Sequence, residues 1–130
     1  MIRLTLIIML ALPLFTYSQH EKIDTDTIGN ASKTDNIYVR ALHHDSLCSS
    51  FCILIKKEVK PHKHMTHTEQ VIVMEGSGSM KMGNKEFVIK KGDVVLIPKN
   101  TVHSVRTTGS PALKVISIQS PYFDGKDRIM

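Results

Sequence analysis

Pro61-His62-Lys63-His64-Met65-Thr66-His67-Thr68-Glu69 is the stretch on which the reading of this chain turns. Along an extended strand, side chains two residues apart share a face and lie about 6.6 Å from each other, so His62 and His64 can aim their imidazoles at one point. Glu69 has the opposite parity and would face away on an unbroken strand. Met65 to Thr68 must therefore turn the chain and return Glu69 on a neighbouring strand with its carboxylate inward, after which Val71 and Val73 continue the inward face. Two imidazoles and a carboxylate suit one divalent transition metal (Fe, Mn, Zn, Ni or Cu) and leave positions open for water or substrate. His67 could compete with Glu69 as a ligand, but it falls in the expected turn and is read as exposed.

A fourth ligand has to come from another part of the chain. His103 is the candidate, because it opens a new apolar segment after Pro98-Lys99-Asn100-Thr101-Val102. Asn100 tolerates the left-handed backbone that such a tight turn requires. His43 and His44 are adjacent, so only one of them can face inward, and neither is given a role. His20 lies in a polar lead-in and is read as solvated.

Around these residues the texture is all-β. From Ile37 onward, short apolar runs alternate with Gly, Pro and Asn punctuation. The expected strands are Ile37–Leu42, Ser50–Val59, Gln70–Met74, Ser79–Met82, Glu86–Ile89, Val94–Ile97, His103–Arg106 and Leu113–Ile118. No segment holds a helical period, so the expected fold is a small antiparallel β-barrel or sandwich. Val71, Val73, Phe87, Ile97 and Val105 are expected to wall an apolar pocket. The turn-rich end, Ser120 to Asp127, is expected to pack across the outside or bottom of the barrel.

Two spacings now stand together. His62-x-His64-x4-Glu69-x6-Gly76 and Gly92-x5-Pro98-x-Asn100-x2-His103 resemble the first and second motifs of the cupin superfamily, and together they cover about 40 residues. Asn100 stands where that family usually carries Gly, and Thr107 where it carries an Asn. The resemblance is to a small, single-domain cupin. It implies a jelly roll, or double-stranded β-helix, with a metal held by His62, His64, Glu69 and His103. It also implies activities such as dioxygenase, isomerase or decarboxylase on a small organic substrate, with Glu69 as the candidate catalytic base. A non-catalytic cupin that binds a sugar or other small molecule, and a storage role, are the alternatives. Cupins resembling this one often pair, so a homodimer is a further expectation.

Composition sets the outer limits. The 130 residues fit one domain, and 42% hydrophobic with 22% charged residues is ordinary for a folded one. The formal charge is +5, but the lysines are spread in ones and twos with no interleaved aromatics, which argues against nucleic-acid binding. Met1-Ile2-Arg3 followed by the apolar run Leu4 to Phe15 reads as a signal peptide over residues 1–18. That run is short of the roughly 20 residues a spanning helix needs. The expectation is an exported, periplasmic or secreted protein, free of the membrane after cleavage. A polar, flexible lead-in over 19–36 then precedes the barrel domain at 37–130. Cys48 and Cys52, if on one strand, have Cα atoms about 13 Å apart, beyond the ~7 Å reach of a disulfide. They are read as small core residues unless a turn at Ser49-Ser50 brings them together.

Overall fold

The computed structural model describes residues 22–130; the signal-peptide reading over 1–18, and His20, lie outside the described residues. Nine strands follow one another: β1 (Ile37–His44), β2 (Ser49–Ile55), β3 (Glu58–His62), β4 (Thr68–Glu75), β5 (Ser77–Met82), β6 (Lys85–Lys90), β7 (Val94–Ile97), β8 (His103–Thr107) and β9 (Leu113–Ser120). They form two antiparallel sheets, β1-β2-β9-β4-β7 and β3-β8-β5-β6, facing each other as an all-β jelly roll. Strand formation follows the alternation in the sequence. On β4, Glu69, Val71 and Val73 are buried and alternate with more exposed neighbours, and on β7 Val95 and Ile97 are buried between exposed Val94 and Leu96.

The core is aliphatic, as a chain without Trp requires. Ile55, Val71, Val73, Met80, Ile89, Val95, Ile97, Leu113 and Val115 make one buried cluster, with Val59, Phe87 and Val105 packed against it. Ile97 is paired with Glu69 across β7 and β4. The floor of the site is thus continuous with the core.

Several expectations change. The run expected as one strand, Ser50–Val59, is two strands in different sheets, broken at Lys56-Lys57. Asn36 holds the break: its Oδ1 accepts from the amides of Lys57 and Glu58, and its Nδ2 donates to the Glu58 carbonyl. The cysteine reading holds: Cys48 and Cys52 are both free, and Cys52 is fully buried on β2. Residues 22–36, read as a lead-in, lie against the barrel. Ile28 is buried, and the ammonium of the buried Lys114 donates to the carbonyls of Thr25 and Asp26. No helix of the described residues is long and apolar enough to cross a membrane.

Two turns with left-handed backbone shape opposite ends of the barrel. Gly76 has φ +74, and a Cβ there would meet the Ala112 carbonyl oxygen at 2.6 Å, so a side chain is excluded on both counts. Asn100 has φ 59, the left-handed conformation expected of it. Its amide donates to the His64 carbonyl at 2.6 Å, and its side-chain oxygen accepts from Lys63. One residue therefore ties the turn that presents His103 to the segment that carries His64.

Candidate metal centre

His62, His64, Glu69 and His103 are brought together: one potential ligand atom from each lies within 4.8 Å of the others, and all four residues are buried. They come from both sheets. His62 ends β3 and His103 opens β8, where the two are direct ladder partners. Glu69 lies on β4 in the opposite sheet, and His64 sits in the link between. The parity break between His64 and Glu69 is thus real, but its geometry differs from the expected return to a neighbouring strand. The chain crosses from one sheet to the other, because β3 pairs only with β8. The ion would sit between the sheets rather than above one of them.

The outer hydrogen bonds decide which nitrogen faces the centre. Nδ1 of His62 donates to the Lys60 carbonyl and Nδ1 of His103 to the Thr101 carbonyl, each at 2.9 Å, while Nδ1 of His64 donates to the Asp127 carbonyl. A carbonyl can only accept, so all three rings carry their hydrogen on Nδ1 and present Nε2 as a lone pair. Among the described residues, Nε2 of His64 and of His103 are buried without a hydrogen-bond partner. Buried ring nitrogens are rarely left so. Glu69 completes the set: Oε1 accepts from the Ser117 hydroxyl at 2.5 Å, and Oε2 lies 3.2 Å from His103 Nε2 and 3.4 Å from His64 Nε2. Three lone pairs and one carboxylate oxygen converge where a cation would supply the missing partner. The residues fit a divalent transition metal.

The electrostatics differ from ring to ring. Burial pushes the His62 imidazolium down to about 4, so the ring is neutral at physiological pH. For His64 burial acts in the same direction, but Glu69 and the Asp127 carbonyl outweigh it and raise the ring above its ordinary value. Burial would raise Glu69 too; His103, His64 and Ser117 outweigh it and hold the carboxyl well below the usual range. The centre is built around a fixed negative charge.

Sequence reasoning missed the tail. The residues after β9 cross the site end of the barrel, where Phe123, Gly125 and Arg128 line its mouth, not the outside or bottom. The Asp127 carboxylate accepts from the amides of Met65 and Thr66, from the Thr66 hydroxyl and from Nδ1 of His67. Burial works against the charge of Asp127, yet His67, Thr66 and Met65 hold its carboxyl well below the usual range. His67 itself is 6% exposed, contrary to its reading as a solvated turn residue. Its Nδ1 faces Asp127 at 2.6 Å and its Nε2 faces the Tyr122 carbonyl at 2.8 Å, so neither nitrogen is free to ligate. The signal that could have found this is the acid itself, an Asp in a tail otherwise free of apolar periodicity. His43 and His44 are exposed and do not belong to the ligand cluster.

Next to the ligands lies a cavity of about 250 Å³, walled largely by apolar side chains including Val59, Val71, Ile97 and Val105. Val73 and Phe87, also expected in that wall, belong to the core beneath it. This is room for a small organic molecule beside an ion.

The cupin domain family model matches residues 51–119, which span β2 to β9 and contain all four candidate ligands. The chain belongs to the cupin domain family. This cupin is similar to an uncharacterized protein of Methanocaldococcus jannaschii, 28% identical over 113 residues covering 82% of the chain and 90% of that protein. It is also similar to the mannose-1-phosphate guanylyltransferase RfbM of Salmonella typhimurium, 32% identical over 81 residues, covering 61% of the chain but 17% of that enzyme. Among solved structures, that of KdgF from a Halomonas species shares the fold with a TM-score of 0.66 and 21% identity, covering 71% of this cupin and 84% of that chain.

Proposed function

We propose that this cupin is a metal-dependent enzyme acting on a small organic substrate, of dioxygenase or isomerase type. The observation that carries the reading is the pairing of a complete ligand set, His62, His64, Glu69 and His103, with an adjoining apolar cavity of about 250 Å³. Three imidazoles and one carboxylate would fill a tetrahedral ion, but on an octahedral one such as iron or manganese they leave positions open for water or substrate. A divalent metal held there supplies Lewis acidity or, if redox-active, electron exchange. The chain's own residues do the rest. The apolar walls exclude water and orient the substrate, and Glu69 offers Oε2 toward the centre while Ser117 fixes Oε1. Glu69 is the residue on which a proton transfer would rest. The Salmonella relative's name places it with a sugar phosphate, which is compatible with a small-molecule role for the shared barrel, although only 17% of that enzyme is matched.

Export is part of the proposal, supported by the apolar run over Leu4 to Phe15. Fusing residues 1–18 to alkaline phosphatase tests it: phosphatase activity in intact cells is expected, and its absence contradicts export.

The enzyme reading is tested by oxygen uptake and product analysis on anaerobically prepared protein loaded with iron, manganese or nickel, against a panel of thiols, diketones, catechols and keto sugars. Turnover that disappears in Glu69→Ala is expected. Saturable binding of panel members without turnover under any of these metals would replace the enzyme with the binding module.

A further inference from the structure

Apart from the four ligands, the cavity wall carries three polar side chains, Ser104, Gln119 and Arg128. Gln119 is 6% exposed, yet its Oε1 is buried with no hydrogen bond among the described residues. It is the ladder partner of Glu69 across β9 and β4, so it stands beside the metal centre. A buried amide oxygen left without a donor is uncommon in native structures and marks a place for a donor from outside the chain.

Arg128 also lines the cavity, on the tail segment that crosses the ligand end. It is exposed and has no ion-pair partner among the described residues. Its backbone is held on both sides. Asp127 accepts four hydrogen bonds through its carboxylate, and Ile129 exchanges both backbone hydrogen bonds with Lys63, at 2.9 and 3.0 Å. A guanidinium is thus carried over an apolar cavity on a fastened segment. A planar fork of donors matches a carboxylate.

We propose that the cavity takes a small hydroxylated carboxylate, with its carboxylate on Arg128, its hydroxyl donating to Gln119 beside Glu69, and its apolar body against Val59, Ile97 and Val105. This rests on the reading of the cavity as the substrate pocket of a metal centre. One guanidinium in a mainly apolar wall suits a single negative charge on a compact body.

The test is calorimetric titration of the purified protein, metal-free and zinc-loaded, with two matched sets: 4-hydroxybenzoate, 4-hydroxybenzamide and benzoate; and 3-hydroxybutyrate, 3-hydroxybutyramide and butyrate. In at least one set the carboxylate should bind about tenfold or more tightly than its amide, the scale of one added charge-assisted pair. Arg128→Gln should abolish that preference, and Lys126→Gln, a change at an exposed lysine nearby, should keep it. Gln119→Leu should remove the advantage of the hydroxylated acid over its deoxy partner. An amide that binds as tightly as its acid, a preference that survives Arg128→Gln, or no binding of either set at millimolar concentration would overturn the proposal. Zinc content measured on the same samples separates the two readings. Bound zinc without a carboxylate preference overturns this inference alone, whereas an Arg128-dependent preference in protein that takes up no zinc overturns the metal centre and leaves the anion pocket standing.

Discussion

The backbone carbonyl of Asp127 accepts the Nδ1 hydrogen of His64, while the carboxylate of the same residue accepts the amide hydrogens of Met65 and Thr66. A residue 63 positions along the chain therefore sets both the tautomer of one ligand and the path of the loop that bears it. Partners of this kind orient a ligand before the metal arrives, and their loss typically weakens metal affinity by about 10- to 100-fold.

That contact makes the tail part of the centre. Asp127→Ala is expected to weaken zinc binding by about 10-fold or more, measured by competition with a chromogenic chelator. Asp124→Ala, whose carboxylate contacts only Lys126 nearby, should leave affinity unchanged. Equal affinities for the two variants would reduce the Asp127 contacts to packing.

Ser117 is fully buried and spends its hydroxyl on Glu69 Oε1. Ser117→Ala leaves a buried carboxylate oxygen without its donor, a loss of about 1–3 kcal/mol. Urea unfolding of the metal-free protein should show that loss, together with weaker zinc binding. A variant as stable as the parent would mean that water replaces the hydroxyl.

Ile97 joins the core to the ligand Glu69. Ile97→Ala is expected to cost about 2–5 kcal/mol by urea unfolding. Leu96→Ala, one residue along but 57% exposed on the outer face, should stay within about 0.5 kcal/mol. Similar costs at the two positions would contradict the inward–outward alternation of β7.

Acid should act on the metal-free fold through His62. The ring titrates at about 4 in the folded protein against 6.5 for its ordinary value, so between those pH values the unfolded chain binds a proton that the folded chain refuses. Stability from this residue is complete above pH 6.5 and falls as pH drops toward 4. His64 has the opposite sign: its raised value adds stability at low pH that is lost as pH rises through it. Urea unfolding of His62→Gln across pH 4 to 7 should therefore show a shallower acid-side decline than the parent. Parallel pH profiles would contradict a buried neutral His62.

Much of this was legible in the residues because the signals are local. The alternation of β4 and β7, the turn chemistry of Asn100 and the two ligand spacings each lie within a few residues of one another, and each predicts what the structure contains. The misses share one physical cause, a decisive partner far away in the chain. Nothing in Lys56-Lys57 marks the break between β2 and β3, since the Asn36 side chain makes the turn from 21 residues upstream. His67 looks like a turn histidine until Asp127, 60 residues on, and the Tyr122 carbonyl satisfy both its nitrogens. The tail lacks apolar periodicity because it is held over the site by polar contacts, so hydrophobic patterning had nothing to detect.

The most direct test of the metal centre is elemental analysis of the purified protein and its ligand variants after equilibration with zinc, iron or manganese and removal of loose ions. The parent is expected to retain about one equivalent of a single divalent metal, and His62→Ala/His64→Ala to retain less than about a tenth of that, because two of four ligands are gone. Full occupancy in the double variant, or a parent that retains none of the three metals, would contradict the site formed by His62, His64, Glu69 and His103.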